Sequence, residues 1–387
     1  MIYALLAAGQ TDYARQAIEY LLQHPWEGRP YPEGDTPGHI LWIMYKYWRY
    51  SRDKQWLQEK LPQIVNLAEG ILQMCSDGLS PVTVDILGHR RTILDDPSTA
   101  LALQQRAGRQ KPFVLNYGKM DQVGLLYVNS VSLYGLRGAI EMLRAAGAGG
   151  IVAQIEKRYN EYLQEFLALL KVLDYQLDYD ERGHCFAAWP AELHLVDPKV
   201  RDFFLQRSFN GKVATSIWKY LDMDYAHNML AAGKRDAGYE VVERYLALPA
   251  FRSWKLLDEG GPSSEGYWKH LSNWLWDPQV AVPHGWSLAS LCLLIRDCIV
   301  REEGNRLVLL SGVPSRWLAD GQRIRFVLPT EYGDVRAVCI GKAKGIQVKV
   351  DMQTPPSGGI WLHLPNDFVS NKVRVLVGRE VFVARKQ

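Results

Sequence analysis

The residues that could do chemistry gather in a few aromatic-rich stretches. The first runs Trp26-Glu27-Gly28-Arg29-Pro30-Tyr31-Pro32-Glu33-Gly34-Asp35-Thr36-Pro37-Gly38-His39, followed by Trp42. The second is Asn116-Tyr117-Gly118-Lys119-Met120-Asp121. The third holds Asp258-Glu259-Gly260-Gly261-Pro262-Ser263-Ser264-Glu265-Gly266-Tyr267-Trp268, and Pro283-His284-Gly285-Trp286-Ser287 comes soon after it. His184, Trp189, Glu192 and His194 make a fourth. The histidines lack metal-ligand spacing, so no metal is expected. No Gly-x-x-x-x-Gly-Lys-Ser/Thr loop, no Gly-x-Gly-x-x-Gly after a strand, no His-Glu-x-x-His and no Gly-x-Ser-x-Gly elbow occurs, so no cofactor is expected either. What remains is carboxylates among aromatics. Glycoside hydrolysis needs two carboxyl groups flanking the bond, one acid and one base, with aromatic faces to hold the sugar ring.

Each candidate has a plainer role beside the chemical one. Asp35 can cap the helix that follows, with Pro37 in its first turn. Alternatively Asp35, His39 and Trp42 line a cleft mouth and bond sugar hydroxyls. Asp121 is either a loop residue near a helix start or a cleft carboxyl, with Tyr117 beside it. Glu265 is either an ion-paired loop glutamate or a carboxylate held among Tyr267 and Trp268. The third stretch argues hardest for function, because a surface loop has no packing reason to collect Trp254, Trp268, Trp274, Trp276 and Trp286. Trp189, His284 and Trp286 complete the expected lining.

Composition narrows the setting. The 387 residues carry a formal net charge of +3, with 48% apolar and 22% charged residues, as in an ordinary globular chain with a large core. No basic run points to nucleic acid, and no apolar stretch reaches the roughly 18 residues needed to span a bilayer. The 13 Trp and 20 Tyr outnumber 10 Phe, and aromatics with a polar edge suit a wet cleft. Cys75, Cys185, Cys292, Cys298 and Cys339 are an odd, scattered set. They are expected to be free thiols, which suits a reducing compartment. The N-terminus has no Lys or Arg before its short apolar run, so it lacks the charged start of a signal peptide.

The elements that must position these residues fall into two regions. Helical periodicity marks 1–8, 12–23, 41–50, 54–75, 127–146, 151–171, 224–232, 236–247 and 287–301. Ala-Ala-Gly recurs at Ala7-Ala8-Gly9, Ala145-Ala146-Gly147 and Ala231-Ala232-Gly233, each time between two helical patterns. A left-handed Gly closing one helix before another starts argues for stacked hairpins. The long loops 24–39, 77–121, 172–222 and 248–286 read as walls of a cleft. From about residue 303, alternating runs at 306–310, 323–328, 335–340, 346–350, 360–364, 373–377 and 381–384 predict a β-sandwich. The expected organisation is a mainly α chain with a C-terminal β part: a helical-hairpin domain at 1–302 and a β-sandwich domain at 303–387.

This order of hairpins, Pro-His-Gly-Trp-Ser, a last apolar helix and a β-sandwich resembles the six-hairpin glycosidases. These are (α/α)6-barrel enzymes of rhamnosidase-like, trehalase-like and glucoamylase-like kinds. Gly38-His39-Ile40-Leu41-Trp42 through Asp53-Lys54-Gln55-Trp56-Leu57 is similar to their pattern of inner helix, short turn and outer helix. Ser263-Ser264-Glu265-Gly266-Tyr267-Trp268 resembles the rhamnosidase-like Thr-x-Trp-Glu-x-Trp stretch without its first Trp. The resemblance implies that Glu265 is the general base and that His284-Gly285-Trp286 is a substrate-binding motif. Two mappings compete for the acid. The trehalase-like and glucoamylase-like pattern points to Asp121, whereas the rhamnosidase-like pattern places the acid before residue 1. The implied activity is hydrolysis of an oligosaccharide or glycoside, with inversion. The alternative is a carbohydrate-binding or scaffold protein derived from such an enzyme.

About nine helices are legible by periodicity, fewer than six full hairpins supply. The chain opens inside what reads as an inner helix, so a barrel of this kind would lack its first hairpin and a half. Ile2, Leu5 and Leu6 are then expected to lie at an apolar seam, costing about 25 cal/mol per Å2 left wet. The barrel would have to close with fewer hairpins, be covered by the loop 77–121 or associate with another chain, and a homodimer or an aggregation-prone protein with its contact near residues 1–25 is expected.

Overall fold

The computed structural model describes residues 1–25, 34–76, 105, 107–111, 114–116, 125–172, 189–192, 219–258, 283–343, 345–365, 374–377 and 380–383. In chain order its helices are α1 (Ile2–Ala7), α2 (Thr11–Gln23), α3 (Thr36–Ser51), α4 (Lys54–Glu59) and α5 (Leu61–Met74). The short strands β1 (Cys75–Ser76) and β2 (Leu115–Asn116) follow, then α6 (Leu125–Ala145), α7 (Gly149–Val172), α8 (Lys219–Ala231), α9 (Arg235–Ala247), α10 (Pro249–Trp254) and α11 (Gly285–Ile299). The C-terminal strands are β3 (Val300–Glu303), β4 (Arg306–Leu309), β5 (Arg323–Leu328), β6 (Val335–Lys342), β7 (Gly345–Asp351), β8 (Ile360–Leu362), β9 (Arg374–Val377) and β10 (Glu380–Val383). Residues 1–11 and 205–387 form one compact unit, and 12–204 form a second.

The three Ala-Ala-Gly turns share one construction. Gly9, Gly147 and Gly233 have φ of 75°, 80° and 75°. In each turn the glycine N–H bonds the carbonyl three residues back, and the next residue's N–H bonds the carbonyl five back, as in Gln10 to Leu5, Ala148 to Leu143 and Lys234 to Met229. This double bond pattern closes a helix C-terminus and frees the chain to start the next helix.

Some element boundaries differ from the sequence expectation. The single helix expected over 54–75 is two, because Lys60 (φ −94°, ψ 0°) ends α4 and starts α5 just before Pro62, whose ring cannot sit in a helix interior. The last helix stops at Ile299. Val300 turns extended (φ −142°, ψ 128°) and opens β3, a strand that the charged Arg301-Glu302-Glu303 run hides. Those charges are buried in pairs, Arg296 with Glu302 at 2.6 Å and Arg301 with Glu303. The helix α10 also lies within what reads as loop.

The C-terminal strands make two sheets, β10-β9-β7-β6-β5 and β3-β4-β8. Val300, Leu307 and Leu309 from one sheet share a core with Phe326, Val335, Ala337, Cys339, Ile346, Val348 and Val350 from the other, which is a β-sandwich. Gly304 (φ 58°) turns β3 back onto β4, pairing Glu303 with Arg306. Arg235, at the start of α9, donates from Nη1 to Leu310 O and from Nη2 to Val313 O, each at 2.6 Å. That one guanidinium ties the α8–α9–α11 core of Met223, Leu230, Val241 and Leu294 to the sandwich.

The apolar seam expected at the N-terminus is not found at Leu6. α1 packs on α11, Leu6 is fully buried, and Ile2 and Leu5 are half-buried. Most of the loop 77–121, the expected cover, lies outside the described residues. No helix among the described residues is long and apolar enough to cross a membrane.

Candidate functional site

Two polar clusters stand out, one inside each unit. In the unit of residues 12–204, α3 and α6 pack backbone to backbone. A Cβ on Gly135 would lie 2.6 Å from Gly38 O, one on Gly38 2.8 Å from Val131 Cγ1, and one on Gly138 2.7 Å from Tyr45 Cβ. Only glycine allows this approach. It brings His39 Nε2 to 2.7 Å from the Tyr127 hydroxyl and 3.3 Å from Asp35 Oδ2. When bare, that nitrogen accepts from Tyr127; when protonated, it donates to Asp35. Asp35 precedes α3 but makes no side-chain capping bond, so its carboxyl faces His39 and not the helix end.

The Trp42 ring lies 6.0 Å from His39 and meets Tyr134 edge-on at 5.9 Å. The Arg137 guanidinium sits 4.6 Å from the Tyr134 centroid and pairs with Glu192 at 3.2 Å. Trp189, half-buried, lies in the same short described segment as Glu192. Asp35, His39 and Trp42 are therefore neighbours. Tyr127 was not among the expected residues, and its partner His39 is 88 positions away.

In the other unit, α8 and α11 face each other through residues one turn apart. Tyr220 and Asp224 lie on α8, Trp286 and Ser290 on α11. The Tyr220 ring stacks on Trp286 with centroids 4.3 Å apart and planes at 26°. Ser290 Oγ donates to Asp224 Oδ1 at 2.9 Å. His284 lies 5.4 Å from Tyr220 and caps α11, its Nδ1 accepting from Ser287 N–H at 3.3 Å. Burial pushes the Asp224 carboxyl up to about 8, against the pull of its hydrogen bond from Ser290. Burial also pushes His284 down to about 4, opposed by Asp258. Asp258 is itself buried and ion-paired with Lys219.

The described residues on either side of 259–282 are tied together here. His284 N–H bonds Leu257 O at 2.9 Å, and Ser287 Oγ bonds Asp258 O at 3.2 Å. Glu265 and Trp268 belong to that stretch and lie outside the described residues. So do Asp121 and Tyr117, which follow β2 after Asn116. Tyr220, Asp224 and the Lys219–Asp258 pair were not expected from the sequence. The signal that could have found them is the i, i+4 pairing of Tyr220 with Asp224 in a segment whose polar residues mask helical periodicity. Among the described residues, no group of three His, Cys, Asp or Glu could hold a metal ion.

The described elements are helical hairpins followed by a C-terminal β-sandwich. Among solved structures, the chain is similar to the crystal structure of a GH78 family rhamnosidase of Bacillus sp. GL1. The TM-score is 0.52 at 12% identity, over 90% of this chain and 35% of that one. The chain thus spans about a third of the rhamnosidase's length. No protein-family model and no curated protein sequence matches it.

Proposed function

We propose that the protein hydrolyses glycosides, with Glu265 as the base that activates water and Asp121 as the acid that protonates the leaving oxygen. The observation that carries this reading is the tethering of both ends of 259–282 at the Tyr220–His284–Trp286 cluster. Stacked rings, an imidazole and a buried carboxyl surround the feet of the stretch that holds Glu265. The glycosidase-like fold supports the same reading, and rhamnosides are the first substrates to try. Inversion would place the two catalytic carboxyls about 6.5–9.5 Å apart, leaving room for a water. In the unit that holds Glu265, Trp268, His284 and Trp286 would hold the sugar by stacking and by bonds to its hydroxyls.

The test is turnover on a panel of aryl glycosides and oligosaccharides, rhamnosides included, with calorimetric binding measured alongside. Release of reducing sugar from one class of glycoside supports hydrolysis. Binding without turnover makes the chain a carbohydrate-binding protein, and neither binding nor turnover removes the carbohydrate reading altogether.

A further inference from the structure

Trp317 is held out of the fold. It ends the short 3-10 turn Ser315–Trp317 between β4 and β5, and the residue keeps 41% of its surface exposed. The turn itself is anchored. Val313 and Leu318 on either side are buried in the sandwich core, and the Trp317 and Leu318 N–H groups bond Pro314 O and Ser315 O, each at 3.0 Å. Tyr239, on α9, makes a T-shaped contact with the indole, the centroids 5.6 Å apart and the planes at 76°. Arg316, next to Trp317, places its guanidinium 5.6 Å from the Tyr239 centroid and pairs with Glu243, one turn further along α9. Both charged side chains are at least half exposed. Stability does not account for this arrangement. An exposed ion pair contributes little to folding, and an indole contributes through the area it buries. The T-shaped contact fixes the Trp317 ring and still leaves a face open.

We propose that Trp317, Tyr239, Arg316 and Glu243 form a sugar-binding site on the surface of the unit of residues 1–11 and 205–387, separate from the Trp286 cluster. The apolar face of a pyranose stacks on the open indole. The guanidinium donates to its hydroxyls, and the Glu243 carboxylate accepts from them. A Cβ on Gly238 would lie 2.7 Å from Leu230 Cδ2, and one on Gly312 2.9 Å from the same atom. Tyr239 and the chain leading to Trp317 therefore pack beside the last turn of α8. Tyr220 of the other cluster lies in the first turn, ten residues earlier, about 15 Å away along the helix axis. The exposed residues beside the patch in sequence, Asp236, Glu240 and Asp320, are charged. The aromatic face is then about one sugar ring wide, whereas a protein interface takes about 800 Å2 from each partner. A second site on the same unit raises affinity for a glycan long enough to reach both. The patch binds whether or not Glu265 cleaves, so it goes beyond the hydrolysis.

The test runs the full chain through native gels cast with soluble polysaccharides: a rhamnogalacturonan, an arabinoxylan and a mixed-linkage glucan. At least one of them should retard the wild type, and the retardation at several polymer concentrations gives Kd. Trp317→Ala should raise that Kd about tenfold, through loss of the stacking face. Arg316→Ala should raise it about three- to fivefold, through loss of one hydrogen-bonding group. Trp317→Phe keeps a face and should change it less than about threefold. Arg316→Ala decides the matter if Trp317→Ala does not fold. A wild type retarded by none of the three polymers gives the patch to a protein partner and overturns the proposal. So does a folded Trp317→Ala or Arg316→Ala retarded like the wild type, or retardation that is lost in Trp286→Phe and kept in Trp317→Ala. Retardation that depends on Trp317 in a protein that turns over no glycoside keeps this site and removes the hydrolysis instead. Turnover beside retardation that ignores Trp317 and Arg316 does the reverse.

Discussion

The His39 cluster and the Trp286 cluster use similar residue types under opposite electrostatic conditions. Around His39, charges are balanced by partners: Arg137 by Glu192 and the Tyr134 face, and Arg49 by Glu141, which also accepts from Tyr45 at 2.7 Å. The His39 ring keeps 28% of its surface exposed. Around Trp286, burial displaces a carboxyl and an imidazole toward their neutral forms. The His39 cluster is itself largely buried, at Asp35, Tyr45, Tyr127 and Tyr134, and keeps its charges by pairing them. Around Trp286 the buried Asp224 and Ser290 find their partners in each other. The two also differ in construction. Glycine contact brings α3 onto α6, whereas polar side chains join α8 to α11.

The largest expected effect tests the Trp286 cluster through pH. Between about pH 3.8 and 8 the folded state keeps a proton on Asp224 that the unfolded chain has lost, so this carboxyl lowers stability as pH rises through that window. His284 acts oppositely. Between about pH 4 and 6.5 the unfolded chain holds a proton that the folded imidazole lacks, so its contribution is complete above 6.5 and is lost as pH falls toward 4. Asp224→Asn removes only the first effect. Urea unfolding across pH 4–8 should show the variant gaining on the wild type as pH rises, by on the order of a few kcal/mol. Parallel curves would show that Asp224 is not held neutral.

A smaller effect tests the glycine crossing that builds the His39 cluster. Gly135→Ala drives a methyl against the Gly38 carbonyl and should cost about 2 kcal/mol in denaturant unfolding. Gly149→Ala, at the start of α7, meets nothing within 4 Å and should be neutral or slightly stabilising. Equal effects at the two positions would deny the close approach. Smaller again is Tyr127→Phe, which removes the hydroxyl bonded to His39 and should cost about 1 kcal/mol. Least of all is Arg316→Ala, whose partner Glu243 is half exposed like itself. It should change the unfolding midpoint by an amount equivalent to less than about 0.5 kcal/mol.

What was legible in the sequence follows from how far each signal reaches along the chain. The helix α6 shows itself through Leu133, Leu136, Ile140 and Leu143, which are apolar at helical spacing and buried or nearly so. The hairpin turns show themselves because Gly after a helix has a local cause. Asp35 and His39 are one helical turn apart, so their pairing is also local. By contrast, the first residues of α8, before 224, are hidden, because Asp222 there is a buried polar residue, indistinguishable in sequence from a solvent face. Three such residues of α8 are explained by distant partners: Asp222 by Tyr245, Asp224 by Ser290 and His227 by Asp297 at 2.9 Å. The strand β3 hides for the same reason, its charges being cancelled by pairs that include Arg296 from the preceding helix. Functional residues on such segments become visible only when the helices are packed.

The central claim is that a carboxylate at Glu265 drives glycoside cleavage. The direct measurement is kcat/KM of the wild type and of Glu265→Gln on the glycoside the wild type hydrolyses best, with sugar affinity measured for both. Loss of a general base is worth about 10²–10⁴ in rate. The account predicts a fall in that range with affinity kept within about twofold. A variant that retains its rate within a few-fold would place the base elsewhere and contradict the claim.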